Sequence, residues 1–303
     1  MSRLRYVCLD VFSSQPFAGI QLAVFPDAAG IDERRMQRIA NELALPETAF
    51  VCPPEAAETC ARIRIFTPSQ ELPMAGSPTI GTTFALARAG RLRADADKAV
   101  LGLGIGPTTV ELEWGPSSLR FAWMRQPIPE FGPIVTDAVA VAEAVGVRPS
   151  DLERGNLPVQ IASSGVPFLY VPLRSRAAVD AAKIDRERLR ALLRSVNRDE
   201  VPVFVFSREQ ADDDATVYSR MFGPSIGIPE DPATGAASGP LGAYLLRHNA
   251  VSADSASRFV NLQGVRMGRP GRIHISLSSR AGVLEEVRVG GEAVVVHEGV
   301  IFD

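Results

Sequence analysis

Apolar residues recur at Met36, Ile39, Ala40 and Leu43, the i, i+3, i+4, i+7 spacing of one helix face. Asp32 stands where an N-cap belongs. Leu45-Pro46 ends the pattern, because proline disfavours the α conformation in the residue before it. Ala49, Phe50, Val51 and Cys52 then read as an apolar strand, with the carboxylate of Glu47 at its mouth. A second amphipathic helix is predicted in RERLRALLRSV, where Leu189, Leu192, Leu193 and Val196 share a face. Strand-like runs are plentiful, among them YVCLDVF, RIRIF, TTVELEW, LRFAW, PFLYVPL, VFVFS, ATVYSRMF, RIHISLS and AVVVHEGVIF.

Two segments lack any polar face. LPMAGSPTIGTTFALA (72–87) and PATGAASGPLGAYLL (232–246) contain no charged residue. Helices of that composition must be buried on all sides, and their Gly, Ala and Ser content lets strands come close. The expected class is α+β, with two similar domains, each a β-barrel-like sheet wrapped around one central helix.

Internal similarity points the same way. RIFTPSQELP (64–73) and RMFGPSIGIP (220–229) share Arg64/Arg220, Phe66/Phe222, Pro68/Pro224, Ser69/Ser225 and Pro73/Pro229, at an offset of 156 residues. The same offset relates Asn41/Asn197, Pro46/Pro202 and Phe50/Phe206. At that offset Glu47 corresponds to Val203, so the carboxylate exists in one half only. A one-sided carboxylate suggests a local task; the competing reading is a strand-edge glutamate paired with a surface arginine.

The helix starts carry the other signal. Ser77-Pro78 reads as an N-cap followed by proline at the first helical position, and Thr234-Gly235-Ala236 opens the second helix with small residues. Helix N-termini with accessible N–H groups attract anions, so two of them facing each other across a cleft would hold a small carboxylate. Ordinary capping by water is the alternative.

Bulk properties remove several function classes. The 303-residue chain is 46% hydrophobic and 22% charged, with a formal net charge of -3 and a pI near 5.8, giving no global pull toward nucleic acid or anionic lipid. Three cysteines (Cys8, Cys52, Cys60) are too few for a disulfide framework. The N-terminus lacks a signal-peptide pattern, and no run approaches the roughly 18 apolar residues of a membrane span, so a cytoplasmic protein is expected. His248, His274 and His297 show no metal-ligand spacing, and GLGIGP (102–107) leads into TTVELEW as strand–turn–strand rather than a dinucleotide loop. What remains for catalysis is carboxylates, hydroxyls and backbone amides.

DVFSSQPFAG, LPETAFV, RIFTPSQELPMAGSPTIG, SSGVPFLYVPL, PEDPATGAASGPL, QGVRMGRPGRI and VGGEAVVV together resemble the PhzF-like isomerases of phenazine biosynthesis, which are related in fold to diaminopimelate epimerase. The resemblance runs over nearly the whole chain. It implies a pseudo-twofold pair of domains, here 1–126 plus 288–303 carrying Glu47 and 127–287 carrying Asp231, with the active site between them. It also implies a homodimer, a small carboxylate substrate and no cofactor. Carried over residue by residue, Glu47 is the acid/base that moves a proton between carbons, and Asp231 binds substrate. Gly76, Ser77, Gly235 and Ala236 cradle the substrate carboxylate. A glutamate held in an apolar cleft has its pKa raised toward the range useful for proton transfer.

The chain departs from the family pattern at three places beside that pocket. Ile20, followed by Gln21, replaces the asparagine of an AGN motif; Ser77 replaces a histidine; Ala236 replaces a serine. These changes affect the expected substrate rather than the fold. The alternatives to a one-base isomerase are a two-base racemase or epimerase, and a binding protein that kept the cleft without the chemistry.

Overall fold

The computed structural model describes residues 3–153, 155–252, 259–280 and 283–302. The strands of the N-terminal half are β1 (Arg3–Val11), β2 (Ile20–Phe25), β3 (Glu47–Cys52), β4 (Ala61–Phe66), β5 (Glu71–Leu72), β6 (Lys98–Leu103), β7 (Gly106–Trp114) and β8 (Leu119–Gln126). Those that follow are β9 (Glu130–Val135), β10 (Val159–Ser163), β11 (Pro167–Pro172), β12 (Val203–Ser207), β13 (Val217–Gly223), β14 (Ile228–Asp231), β15 (Phe259–Gln263), β16 (Gly271–Arg280), β17 (Val283–Gly291) and β18 (Ala293–Phe302). The α-helices are α1 (Glu33–Leu43), α2 (Gly76–Arg88), α3 (Ala138–Val145), α4 (Arg176–Ala181), α5 (Arg186–Ser195) and α6 (Gly235–Arg247).

One ladder runs β18–β1–β2–β3–β4–β6–β7–β8, crosses to β17, and continues β16–β15–β13–β12–β11–β10–β9. The two stretches have the same design. In the first, β2/β3 and β4/β6 are parallel and the other neighbours antiparallel; in the second, β11/β12 and β13/β15 are the parallel pairs. Parallel neighbours need a crossover, supplied by α1 and by α4–α5 on the outside and by α2 and α6 through the middle. The last described strand, β18, returns to pair with β1, so the first and last strands both belong to the first half. The expected boundary at 287/288 falls inside β17, which pairs with β16 on one side and β8 on the other.

α2 packs on β1, β2, β3 and β8, and α6 on β10, β11, β16 and β17, so each half wraps one apolar helix as its composition requires. Three hydroxyls inside these helices are satisfied locally: Thr79 Oγ1 donates to Ala75 O at 2.7 Å, Thr83 Oγ1 to Thr79 O at 2.8 Å, and Ser238 Oγ to Thr234 O at 3.0 Å. On the outside, α1 begins at Asp32, whose Oδ1 accepts the Arg35 N–H at 2.9 Å, and buries Met36, Ile39 and Ala40.

The ladder also corrects the repeat alignment. Thr48 pairs with Phe66, and Val203 pairs with Phe222, the equivalent of Phe66. The structural counterpart of Glu47 is therefore Pro202, one residue before the expected Val203. Phe50 and Phe206, identical at the simple offset, face opposite sides: Phe50 packs in the outer cluster with α1, Phe206 in the inner one with α6. Likewise Ile65 pairs with Leu72 and Met221 with Asp231, so the counterpart of Asp231 is Leu72. From there on the halves are offset by 159 residues rather than 156, which matches Gly76 to Gly235.

The two central helices meet at their first residues. A Cβ on Gly76 would lie 2.7 Å from Gly235 Cα and 2.8 Å from its carbonyl carbon, backbone that cannot move aside cheaply. Gly76→Ala is expected to lower unfolding stability by roughly 1–3 kcal/mol, the usual cost of overpacking. Gly102→Ala, where the nearest atom is 3.5 Å away, should change it by less than about 0.5 kcal/mol. Chemical denaturation of the two variants checks the difference.

Candidate active site

Four polar side chains converge where α2 and α6 touch. Glu47 enters from the start of β3, on the inward face of the sheet, and is 6% exposed; Asp231 ends β14 and is 4% exposed. Each carboxyl is bonded to one hydroxyl. Ser77 Oγ donates to Glu47 Oε2 at 2.6 Å, and Thr234 Oγ1 donates to Asp231 Oδ2 at 2.5 Å. Asp231 Oδ1 is buried and has no hydrogen-bond partner among the described residues.

The helix starts differ from the expected capping. α2 begins at Gly76 with Ala75 as N-cap, so Ser77 lies in the first turn and its hydroxyl is turned to Glu47 instead of capping the helix. Thr234 is the N-cap residue of α6, but its hydroxyl is turned to Asp231. Among the described residues neither N-terminus receives a side-chain cap, which leaves the positive ends of two helices in contact at Gly76 and Gly235.

The two hydroxyl–carboxylate pairs occupy non-equivalent positions in the duplicated scaffold. The counterparts of Glu47 and Ser77 are Pro202 and Ala236; those of Asp231 and Thr234 are Leu72 and Ala75. What does repeat is a supporting ion pair. Arg64 holds Glu71 through Nε at 2.8 Å and Nη2 at 2.5 Å, and Arg220 holds Glu230 at 2.8 and 2.9 Å. Arg220 Nη1 also donates to the carbonyls of Val179, Asp180 and Ala182. The segment carrying Asp231 is thereby anchored to the outer layer.

Burial dominates the electrostatics. Loss of water pushes the Glu47 carboxyl well above the usual range, the negative charge of Asp231 adds to this, and the Ser77 hydrogen bond opposes it. Asp231 is raised by burial as well, against the Thr234 hydroxyl and the Ala233 N–H, which favour its charged form. Two carboxylates so placed do not both ionise easily near neutral pH.

The other expected site residues divide. Ile20 is fully buried on the same inward face of β2 as Leu22, the ladder partner of Glu47. Gln21 falls on the opposite face, paired with Asp10, and does not join the cluster. Gly235 and Ala236 open α6 beside Gly76 and Ser77. Burial pushes the Cys8 thiol up to about 11 and raises those of Cys52 and Cys60, so none is poised as a thiolate base. The carboxamide of Gln263 was missed from sequence. It lies within the quoted QGVRMGRPG segment, and it bonds both Asp231 and Thr234.

The phenazine biosynthesis-like PhzC-PhzF family matches residues 9–299. A trans-2,3-dihydro-3-hydroxyanthranilate isomerase of Pseudomonas chlororaphis is 36% identical over 296 residues, covering 98% of each chain. An uncharacterized isomerase of Mesorhizobium japonicum is 34% identical over 304 residues, covering 100% of both. The crystal structure of a PhzF-family phenazine biosynthesis protein from Bacillus anthracis superposes with a TM-score of 0.89 at 26% identity, over 100% of both chains. A hydroxyproline epimerase from Agrobacterium vitis, 12% identical with a TM-score of 0.65 over 99% of this chain and 92% of its own, shares the fold.

The raised Glu47 carboxyl has a consequence for stability. A carboxyl whose folded pKa exceeds its unfolded value favours the folded state below the unfolded pKa, and that contribution is lost as pH rises toward the folded pKa. Glu47→Gln is therefore expected to melt several degrees above wild type at pH 8, with the gap closing below the ordinary glutamate range near pH ~4. Melting curves across pH check this; an equal or lower melting temperature at pH 8 contradicts it.

Proposed function

The chain belongs to the PhzC-PhzF family of phenazine biosynthesis-like proteins and is an isomerase, and on that footing we propose that Glu47 shifts a proton between carbons of a small carboxylate-bearing substrate held between α2 and α6. The observation that carries this reading is the desolvated Glu47 beside the Ser77 hydroxyl, at the contact of two uncapped helix N-termini. A proton carrier at carbon must both give and take the proton, which is best served by a pKa near the working pH. Burial supplies that rise, and the Ser77 hydroxyl keeps the ionised form within reach while fixing which oxygen faces the substrate.

In this scheme the backbone N–H groups at Gly76, Ser77, Gly235 and Ala236 receive the substrate carboxylate. Asp231 Oδ1, lacking a protein partner, accepts a hydrogen bond from an amino or hydroxyl group of the substrate. Glu47 removes a proton from one carbon, the carbanion delocalises along the conjugated substrate, and the same carboxyl returns the proton to another carbon. Nothing beyond the chain's own groups is required, so the reaction is proposed to be cofactor-independent.

The substrate is proposed to differ from the dihydro-hydroxyanthranilate for which the Pseudomonas relatives are named. Serine at 77 has less volume than histidine and gives its one hydroxyl hydrogen to Glu47, Ile20 puts an apolar wall where an amide would bond, and Ala236 lacks a hydroxyl. Each polar group of that compound left without a partner costs roughly 1–3 kcal/mol.

Two outcomes are expected. Glu47→Gln should keep the fold and lower turnover of the best wild-type substrate by about 10²–10⁴, the usual contribution of a positioned acid–base group; turnover within a few-fold of wild type removes Glu47 from the mechanism. On trans-2,3-dihydro-3-hydroxyanthranilate the wild type should be slow, and Ser77→His or Ile20→Asn should speed it. Efficient wild-type turnover, unimproved by either change, overturns the substrate reading.

A further inference from the structure

We propose that Gln263 is a positioning residue for Asp231, acting through the Thr234 hydroxyl so that a single carboxyl oxygen is left for the substrate. This rests on the reading that Asp231 faces the substrate. Gln263 ends β15 and is completely buried, and its carboxamide directs every bond at the segment 231–234. Oε1 accepts the Thr234 N–H at 3.1 Å, while Nε2 donates to Asp231 O at 2.7 Å and to Thr234 Oγ1 at 2.8 Å.

The bond directions follow from the chemistry of the groups. An amide NH₂ only donates and an ionised carboxylate only accepts. With Nε2 occupying a lone pair of Thr234 Oγ1, the hydroxyl hydrogen is aligned on Asp231 Oδ2, 2.5 Å away. Oδ2 is thereby engaged, and Oδ1 remains buried and unpartnered. The next residue, Gly264, has φ +78 and would place a Cβ 2.5 Å from Pro232 O, so the Gln263-Gly264 pair is pressed onto the Asp231-Pro232 turn.

The duplicated scaffold separates this role from a merely structural one. Val217 pairs with Asn261 and Ala61 with Leu101, so the counterpart of Gln263 is Leu103. The first half therefore folds the same turn with Leu72, Ala75 and Leu103 where the second has Asp231, Thr234 and Gln263. The amide appears only where there is a carboxyl to orient. The titratable groups facing Asp231 are Glu47, which the Asp231 charge pushes up, and Glu230, whose charge acts on Asp231 and is matched by Arg220.

The test is the titration of the Asp231 carboxyl carbon, followed by ¹³C NMR in the full chain and assigned by its loss in Asp231→Asn. Thr234→Val removes the donor to Oδ2 and should raise the midpoint by about one pH unit. Gln263→Leu, which copies the other half, should raise it comparably; the double variant should exceed neither single by more than the error, and Thr234→Ser should titrate as wild type. A wild-type midpoint in either single variant, or additive shifts in the double, overturns the proposal. The unaltered protein gives an independent reading should Gln263→Leu not fold. The proton of a Thr234 hydroxyl that donates to Asp231 Oδ2 while its oxygen accepts from Gln263 Nε2 gives a resolved, slowly exchanging resonance, and its absence also overturns the proposal. Full turnover by Asp231→Asn would instead sink the substrate reading and leave the titration result standing.

Discussion

Taking two carboxyl groups out of water is the constraint around which this molecule is arranged. A buried carboxylate without compensation is too costly to keep ionised, so its partners and its protonation state become fixed by its surroundings. Here the surroundings are the starts of two apolar helices, close enough that Gly76 and Gly235 touch through backbone. α2 lacks a side-chain cap because its N-cap is Ala75, and α6 lacks one because the hydroxyl of its N-cap, Thr234, is committed to Asp231. The absence of charge along α2 and α6 before their closing arginines, Arg88 and Arg247, follows from the same requirement, since both must be enclosed to bring their N-termini together.

The chain meets this constraint with a duplicated scaffold used asymmetrically. Ladder order, parallel crossovers, wrapped helices and the Arg64–Glu71 and Arg220–Glu230 pairs all recur. The chemistry does not. Glu47 answers to Pro202, Asp231 to Leu72, and Gln263 to Leu103, so each half contributes what the other lacks. A symmetric site would set two identical carboxyls against each other; this one gives them different hydroxyls and different supports.

Much of the fold was legible in the sequence because it is written in periodicity and composition. The Met36–Leu43 stripe, the Pro46 stop and the two uncharged helices each follow from local rules, and Glu47 stood out through its one-sidedness. Register was not legible. Identities at an offset of 156 aligned Glu47 with Val203 and Pro73 with Pro229, whereas strand pairing sets equivalences that slip by one residue at β3 and β12 and by three beyond the 66–71 loop. Ser77-Pro78 read as a cap because local sequence carries no trace of a glutamate thirty positions away in the chain. Gln263 escaped for a similar reason: its three bonds are made to residues that only the parallel pairing of β13 and β15 brings near.

The central claim, that Glu47 is held largely protonated by its burial, is open to direct observation. An infrared difference spectrum between wild type and Glu47→Gln at neutral pH separates the carbonyl stretch of a protonated carboxyl from the paired bands of a carboxylate. A protonated-carboxyl band present in wild type and missing in the variant is the expected result. Carboxylate bands alone, lost on substitution at the same pH, would show an ordinary ionised glutamate and contradict the claim.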